Sequence, residues 1–366
     1  MREERLSGKV LYSKQNFEGV EFIWLRTFPY TQNDWRRVLN MVGYSFFAFC
    51  GGVMRQAKPD VIWASNPHLF AGLSGLLLAK LFHKRYFFEV RDLWSQTFVD
   101  LGDFDDRSMA IRILRVLEKL LYRHARKIIV LMPKADDYIK GLGIDQEKII
   151  HIPPSVNLDF FANSDVNLPE TLQKVVMDVK SAGKLIIGYT GAHGIADVLD
   201  TVIDAAKILQ EKNVNDVYLM LVGNGTEKER LVARAKELGL TNIDFFGAIP
   251  KNAIPAFLAS MDAGIVCKQN SPLYNYGVNF IKTFDYMACA KPIVWAVDSV
   301  NNPVKDAECG LTIPPENAHE MVKAIMILAR MGDEERKAMG AKGFNYVTKY
   351  HENKALAKKI EEVFMA

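Results

Sequence analysis

Short apolar runs rich in β-branched and aromatic residues alternate with segments of helical periodicity along most of the chain. Unbroken apolar strands buried on both faces are typical of parallel sheets covered by helices. Two such series in one chain predict an α/β protein with two doubly wound, Rossmann-like domains. The predicted strands are VEFIWL (20–25), DVIWAS (60–65), YFFEV (86–90), KIIVLM (127–132) and KIIHIP (148–153), then KLIIGYT (184–190), DVYLMLVG (216–223), IDFFG (243–247), AGIVC (263–267) and PIVWAV (292–297).

A polar stretch at 163–182 separates the two series of strands. We therefore predict a first domain at 1–175 and a second at 176–345, with a final helical segment at 346–366 that crosses back onto the first domain. Ligands of doubly wound sheets bind at the carboxyl ends of the strands. The facing loops of the two predicted domains would then form a cleft.

Length and composition agree with this reading and exclude several classes of protein. The chain has 366 residues, too many for one ordinary core, and 49% of them are hydrophobic against 24% charged. The net charge of +3 argues against a dedicated nucleic-acid binder. The four cysteines show no paired spacing, so they indicate reduced thiols in the cytoplasm: Cys50, Cys267, Cys289 and Cys309.

The two longest apolar stretches do not predict membrane spans. Residues 38–54 and 68–82 are interrupted by polar residues or glycines, and each is shorter than the roughly 20 residues that cross a bilayer. The first residues are charged and polar, unlike a cleavable signal. We expect a cytoplasmic protein.

The segment YGVNFIKTFDYMACAKPIV (276–294) carries the most chemical information. Lys282 and Asp285 are three residues apart, so one helical face could present both to a ligand. A carboxylate suits the two hydroxyls of a ribose, and a lysine suits a diphosphate whose charge grows as it leaves. A solvated Lys–Asp pair is the alternative.

Two glycine turns follow predicted strands of the second series. In YTGAHG (189–194), Gly191 and Gly194 would let backbone amides approach a phosphate at the start of a helix near residue 196. His193 lies in the same turn, and Gly223 opens a second turn in LVGNGTEKER (221–230). Plain tight turns with a loop histidine are the alternative.

Polar residues also end two strands of the first series, where α/β proteins keep their ligand loops. FFEVRDLWSQ (87–96) places Glu89, Arg91 and Asp92 close together, and SNPH (65–68) brings His68. These residues could contact an acceptor. An Arg–Asp structural pair and a histidine at a helix start are the alternatives.

These motifs appear in an order that resembles glycosyltransferase family 4, in particular the subgroup from bacterial O-antigen, capsule and exopolysaccharide clusters that includes an L-fucosamine transferase. The resemblance covers almost the whole chain. It implies a GT-B fold, a nucleotide-sugar donor (usually a UDP-sugar) bound by the second domain, and retention at the anomeric carbon. The matching segments are SNPHLFAGL, FFEVRDLWSQ, LYRHARKIIVLMP, GYTGAHG, LVGNGTEKERL and FDYMACAKPIV.

Within this resemblance the donor site departs from the family pattern at two positions. The second acid of the family's glutamate pair falls at Asp285, but the first falls at Gly277, so only the ribose-binding role transfers. The family's phosphate arginine falls at Ala192. Lys282, or as second choice Lys268, must then supply the positive charge.

The acceptor side departs as well, because Arg91 stands where many relatives place a histidine. Asp92 is then the candidate acceptor base, although a front-side retaining mechanism needs none. The resemblance predicts sugar transfer to a lipid-linked oligosaccharide without metal or other cofactor. A nucleotide-sugar 2-epimerase of the same fold, or a non-catalytic partner subunit that binds nucleotide or lipid, stays open.

Two further expectations concern metal and membrane. The run Asp103–Phe104–Asp105 does not follow a strand, so no acid pair is placed to hold a divalent ion. Within 107–127, basic residues recur every three or four positions, a pattern typical of a helix on anionic lipid or of a solvated face. That stripe comprises Arg112, Arg115, Lys119, Arg123 and Arg126. The apolar residues expected largely on the opposite side are Ala110, Ile113, Leu114, Leu117 and Leu121.

The start of the chain leads to a last expectation. Relatives open with a buried strand, a glycine loop and a long helix before the stretch that resembles VEFIWLRTFPY (20–30), whereas only 19 residues precede it here. We expect the first domain to be truncated at its amino terminus, with nucleotide binding retained and transfer weakened.

Overall fold

The chain forms two compact units. One contains residues 154–359, and the other contains the described residues up to 153 together with 360–365. The predicted domain limits at 175 and 345 stay predictions. The computed structural model describes residues 11–30, 35–55, 58–66, 68–102, 104–162 and 166–365.

A separate antiparallel hairpin opens the described chain. Strand β1 (Tyr12–Phe17) pairs with β2 (Val20–Leu25), and the turn residues Glu18 and Gly19 both have positive φ. The prediction that residues 20–25 belong to the parallel sheet is therefore wrong. Two successive positive φ values fit the tight turns that connect antiparallel neighbours, and that turn decides the pairing. Residues 1–10 lie outside the described residues.

The unit up to residue 153 contains a four-stranded parallel sheet in the order β3-β4-β5-β6. Its strands are β3 (Val61–Ser65), β4 (Arg85–Val90), β5 (Lys127–Val130) and β6 (Ile149–His151). Its helices are α1 (Trp35–Val53), α2 (Leu69–Phe82), α3 (Trp94–Asp100), α4 (Met109–His124) and α5 (Ala135–Gly141). Each of the four strands lies where an apolar run predicts one.

The unit of residues 154–359 contains a six-stranded parallel sheet in the order β12-β11-β10-β7-β8-β9. Its strands are β7 (Leu185–Thr190), β8 (Val217–Val222), β9 (Ile243–Phe246), β10 (Ala263–Cys267), β11 (Ile293–Ala296) and β12 (Gly310–Thr312). Its helices are α6 (Leu158–Ala162), α7 (Glu170–Ser181), α8 (Asp200–Glu211), α9 (Lys228–Glu237), α10 (Ile254–Ser260), α11 (Ile281–Ala288), α12 (Pro303–Asp306), α13 (Ala318–Arg330) and α14 (Asp333–Tyr350).

The strand order of the six-stranded sheet reverses in the middle. From β7 the chain proceeds outward through β8 and β9, and it then returns to the other side of β7 for β10, β11 and β12. Loops that leave β7 and β10 therefore diverge and open a crevice at the carboxyl ends of these strands. In doubly wound sheets such a switch point is where ligands bind.

Helix α7 lies in the polar stretch 163–182, which we predict to separate the two domains. Its buried residues Leu172, Val176 and Val179 recur at spacings of four and three, so one apolar stripe faces the sheet. Residues 163–165 of that stretch lie outside the described residues.

The last helix, α15 (Asn353–Met365), ends in the unit that contains the four-stranded sheet. The ring of Phe364 packs against Trp63 at 5.2 Å and against Phe87 at 4.8 Å between ring centres. Within the described part of the chain, no helix is long and apolar enough to cross a membrane.

Candidate donor site

The glycine turn after β7 does not lead directly into a helix. A 3-10 turn covers Ile195–Asp197, Val198 takes a positive φ of 40°, and α8 begins only at Asp200. The expected helix start near residue 196 is therefore wrong. The cause is Val198, because a left-handed residue cannot continue a right-handed helix.

The two glycine turns pack directly against each other. The amide of Gly191 donates to the carbonyl of Val222, and the amide of His193 donates to Asn224, each over 3.1 Å. A Cβ atom at Gly223 would lie 1.8 Å from the carbonyl oxygen of Gly191, so no side chain fits there. These glycines hold the turns together, and two of the amides expected to face a phosphate are engaged in that contact.

His193 is a buried residue of this turn. Its side chain is fully enclosed, and its ring lies 5.9 Å from that of Tyr189 and 6.1 Å from that of Phe245. Burial, with a smaller contribution from the charge of Lys228, lowers the pKa of His193 to about 4. The imidazole is therefore neutral at pH 7 and packs as part of the turn's core.

The cationic groups of the site meet at the switch point between β7 and β10. Lys268 directly follows β10, and Lys282 lies in the first turn of α11. Both ammonium groups contact one carboxylate oxygen of Asp197, Lys268 at 2.7 Å and Lys282 at 3.3 Å. Two positive charges and one negative charge leave the cluster with a surplus of one positive charge.

Burial and mutual charge control the ionisation of this cluster. Burial is the largest influence on Lys282 and, together with the charge of Lys268 and against the opposing charge of Asp197, it lowers the pKa of Lys282 to about 8. For Asp197, burial disfavours the charged form, but Lys282 and Lys268 outweigh it and hold the pKa below the ordinary value. Lys282 is thus mostly protonated at neutral pH and loses its charge in the mildly alkaline range.

Gly191 lies next to Lys282. A Cβ atom at Gly191 would lie 2.8 Å from the Lys282 ammonium nitrogen, closer than real Cβ atoms come. Because Gly191 has no side chain, a ligand can reach the Lys282 ammonium group from this side. Gly194 is the N-cap of the following 3-10 turn.

Asp285 lies one turn further along α11 with different neighbours. Burial raises the pKa of its carboxyl to about 7, and Lys251, which follows β9, opposes that shift. Lys282 and Asp285 thus sit on one short helix, as the spacing predicts, but Lys282 bonds Asp197 and Tyr189 instead of Asp285. Gly277, which has a φ of 99°, precedes this helix.

The predicted acceptor residues follow strands of the other unit. Arg91 and Asp92 are exposed directly after β4, and Glu89 is half-buried near its end. His68 is the N-cap of α2, where its Nδ1 accepts from the amide of Ala71 at 3.2 Å. Burial, with Arg37, lowers the pKa of His68 to about 4, so the ring caps the helix as a neutral acceptor.

Asn66 holds the loop of these acceptor candidates. It is fully buried, its side-chain oxygen accepts from the amide of Arg91 at 2.7 Å, and its side-chain nitrogen donates to the carbonyl of Asp92 at 3.0 Å. Its own amide donates to the carbonyl of Glu89. One residue, through its side chain and its backbone amide, therefore fixes the backbone on which three candidate residues stand.

Metal ligands do not cluster in the described residues: nowhere among them do three His, Cys, Asp or Glu side chains come together as a group that could hold an ion. Asp103 of the Asp103–Phe104–Asp105 run lies outside the described residues.

Asp197, Tyr189 and Asn66 are parts of these sites that sequence reasoning missed. Asn66 stands inside the quoted SNPH segment, and Tyr189 opens the quoted YTGAHG segment. Asp197 gave no signal of its own, because its lysine partners are 71 and 85 positions away in the chain.

Comparison with known proteins identifies the family of both units. Residues 12–155 match the model of the glycosyl transferase 4-like domain, and residues 178–346 match that of glycosyl transferases group 1. The WcaI protein of Escherichia coli K12, named for a glycosyl transferase role in colanic acid biosynthesis, is 25% identical over 262 residues. That alignment covers 69% of this chain and 62% of the relative, so the match spans less than two thirds of the relative's length.

Solved structures of other proteins share the fold of this chain. Anabaena HepE in complex with UDP and glucose superposes with a TM-score of 0.68 at 16% identity, covering 93% of this chain and 84% of HepE. Sucrose-phosphate synthase from Thermosynechococcus elongatus gives a TM-score of 0.73 at 18% identity, covering 98% and 86% of the two chains. The predicted α/β fold with two Rossmann-like domains is confirmed, and the chain belongs to glycosyltransferase family 4, with the GT-B fold.

Proposed function

We propose that this chain is a retaining, metal-independent glycosyltransferase that moves a sugar from a UDP-sugar to a lipid-linked oligosaccharide in surface polysaccharide synthesis. The observation that carries the proposal is the pair Lys268 and Lys282 beside Gly191, at the switch point of the six-stranded sheet. The UDP bound by HepE and the naming of WcaI for colanic acid synthesis support the donor and the pathway class.

The chemistry of transfer places its main demand on the leaving diphosphate. As the bond to the sugar breaks, negative charge grows on the phosphate oxygens, and a fixed cation stabilises that charge without reorganisation. Lys282 is suited to this task because its side chain is mostly buried, charged at neutral pH and held by Tyr189 and Asp197. Asp285 would accept hydrogen bonds from the ribose hydroxyls.

The acceptor would be bound by the residues after β3 and β4. Asp92 is the candidate base for the acceptor hydroxyl, with Arg91, Glu89 and His68 as further contacts. A front-side retaining reaction, in which the leaving phosphate takes the acceptor proton, would leave Asp92 with a binding role only.

UDP release measured with a lipid-linked saccharide acceptor tests the proposal. We expect release that needs both donor and acceptor, continues in EDTA, and falls sharply in Lys282→Ala but not in the exposed-lysine control Lys305→Ala. Restoration by magnesium or manganese after loss in EDTA would contradict metal independence. Isomerised sugar formed without acceptor would indicate an epimerase, and nucleotide binding without turnover would indicate a non-catalytic partner.

A lipid-linked acceptor requires the enzyme to work at a membrane, and helix α4 offers a surface for this. The helix turns Ile111, Glu118, Leu121 and Tyr122 inward, and the Glu118 carboxylate accepts bonds from Ser95 and Tyr138. Of the apolar residues expected opposite the basic stripe, Leu121 is buried, whereas Ile113 is 59% exposed and Ala110 is also exposed.

The outer face of α4 carries an apolar stripe of residues spaced at four, three and four: Met109, Ile113, Val116 and Leu120. At 100° per residue this stripe borders the predicted basic one, in which Arg112 and Arg123 are exposed while Arg115 pairs with Asp106. An apolar stripe flanked by cations is the arrangement of helices that rest in the interface of anionic membranes. We therefore propose peripheral binding to the inner face of the plasma membrane through α4.

Flotation with anionic vesicles tests this surface. Wild-type chain should float at low salt, and both Val116→Ser and the double variant Arg112→Glu/Arg123→Glu should reduce flotation. Lys337→Glu, on the ion-paired outer face of α14, is the matched control and should float like the wild type. Equal flotation of all variants would remove α4 from membrane binding.

A further inference from the structure

Asp197 is the acid that joins the two lysines of the candidate donor site. It ends the 3-10 turn Ile195–Asp197, and its side chain is only 7% exposed, against 15% for Lys268 and 16% for Lys282. Its backbone carbonyl accepts from the thiol of Cys267 at 3.1 Å, so the turn is fixed to the end of β10. The carboxylate is thus held in place between the two ammonium groups.

Charge balance distinguishes this cluster from an ordinary buried ion pair. A buried pair needs one acid for each base, since an uncompensated charge in a poorly solvated place is costly. Here one carboxylate serves two ammonium groups, and removing it would leave two like charges facing each other. The surplus positive charge lies beside Gly191, on the side that the glycine leaves open.

We propose, on the basis of the donor site proposed above, that Asp197 is a positioning residue that acts as an internal counter-ion, holding Lys268 and Lys282 side by side and keeping Lys282 charged for the donor's diphosphate. Asp197 itself does not contact the sugar. Before the donor binds, its carboxylate reduces the repulsion between the two ammonium groups. Because it carries only one negative charge, one positive charge of the cluster stays available to attract the diphosphate.

The groups that face Lys282 determine how its charge responds to Asp197. Asp197 and the thiol of Cys267 favour protonation of Lys282, whereas the charge of Lys268 opposes it. Tyr189 accepts a hydrogen bond from the Lys282 ammonium, and His193, in the glycine turn after β7, is a neutral neighbour. Burial is the largest influence, and it lowers the pKa of Lys282. Replacing Asp197 by asparagine keeps the shape but removes the favourable charge. The pKa of Lys282 must then fall.

Titration of UDP between pH 6 and pH 9 measures this effect. We assume that UDP binds only when Lys282 is charged. With a Lys282 pKa of about 8, wild-type binding should then weaken roughly twofold between pH 6 and pH 8. If the pKa of Lys282 falls by one unit or more in Asp197→Asn, UDP binding by that variant should weaken about tenfold or more over the same pH range. Other ionisations, including those of UDP, affect the wild type and Asp197→Asn equally. They therefore cancel when the UDP dissociation constants of the two proteins are divided at each pH. Asp200→Asn is the matched control, because Asp200 belongs to the same segment but pairs with Arg230 and Arg234.

A second readout needs no nucleotide. The rate at which acetic anhydride modifies Lys282, followed by mass spectrometry from pH 6 to pH 10, reports its protonation directly. The midpoint should lie lower in Asp197→Asn than in wild type and stay unchanged in Asp200→Asn. Unchanged midpoints in all three folded proteins, or equal shifts in both variants, would overturn the role of Asp197. Failure of the wild type to bind UDP would overturn the proposed function alone, since the labelling would still test Asp197.

Discussion

The ammonium nitrogen of Lys282 lies 2.7 Å from the phenol oxygen of Tyr189 and 3.9 Å from the centre of its ring. The same phenol donates to the carbonyl of Ala192 over 2.6 Å. The resemblance to the family assigns the position of its phosphate arginine to Ala192, so the tyrosine connects that turn to the lysine that replaces the arginine in our proposal. Tyr189 of β7 thereby fixes the side chain that we propose to approach the diphosphate.

Tyr189→Phe should weaken UDP binding about three- to tenfold. The ring that packs against the lysine remains, but the phenol oxygen that orients its ammonium is lost, and one such hydrogen bond contributes about 1 kcal/mol. Calorimetric titration with UDP checks this result. Tyr218→Phe, which removes a phenol bonded to Asp244 at the amino end of β8, should bind like the wild type; equal weakening in both variants would count against a specific role of Tyr189.

Asp285→Ala should weaken donor binding by about 1–3 kcal/mol, the loss expected when charged hydrogen bonds to ligand hydroxyls are removed. The effect should shrink with 2′,3′-dideoxy UDP, which lacks the ribose hydroxyls. A loss of the same size with both nucleotides would assign Asp285 to another part of the ligand.

Lys282→Ala should reduce the turnover rate more than donor binding, because negative charge on the diphosphate grows as the bond breaks. Loss of one preorganised cation or donor costs roughly 100-fold or more in rate. The remaining pair of Asp197 and Lys268 is charge-balanced, so folding should be preserved. Separate measurement of kcat and of the UDP dissociation constant checks whether turnover falls more than binding. A defect in UDP binding with unchanged kcat would contradict the prediction.

Affinity for UDP should pass through a maximum between about pH 7 and pH 8. The pKa of Asp285 is raised to about 7, so its carboxylate forms as the pH rises through that value and binding strengthens. The pKa of Lys282 is lowered to about 8, so its ammonium is lost above that value and binding weakens. Asp285→Asn should reduce the acidic limb to the part that ionisation of the UDP terminal phosphate contributes, and it should keep the alkaline limb. An acidic limb as steep as that of the wild type would exclude Asp285 as the group responsible.

Asn66→Ala should impair transfer without changing UDP affinity. The substitution leaves the amide of Arg91 and the carbonyl of Asp92 without their buried partner, at a cost of about 1–3 kcal/mol for each group that water cannot reach. Thermal unfolding would report that cost, and kinetics below the transition would report loss of the loop's geometry. Normal transfer by a destabilised variant would make Asn66 a stability residue only.

Ten apolar runs predict ten of the strands in the described residues. Nine of these are parallel strands, whose mostly apolar and buried residues give a clear pattern, and the tenth, β2, is an apolar strand of the exposed hairpin. The strands β1 and β12 were missed for opposite reasons. The sequence of β1, YSKQNF, is mostly polar and exposed, and β12 has only three residues. The pairing of β2 was wrong because the turn at Glu18 and Gly19, and not the apolar run, selects its partner.

The candidate site was predictable where one segment carries several of its residues. Lys282 and Asp285 share a helix, so their spacing was visible in the sequence. The partners of Lys282 could not be read in this way, since Tyr189 and Asp197 reach it only when β7, β10 and α11 are folded together. The burial that shifts the pKa of Lys282 and Asp285 is likewise a property of the fold and not of any motif.

A crystal structure of the chain with UDP tests the central claim most directly. The proposal predicts the diphosphate within hydrogen-bonding distance of the Lys282 ammonium, beside Gly191, and the ribose hydroxyls on the carboxylate of Asp285. UDP bound with Lys282 and Asp285 untouched, for instance between Thr201 and Arg230 in the neighbouring pocket, would contradict it.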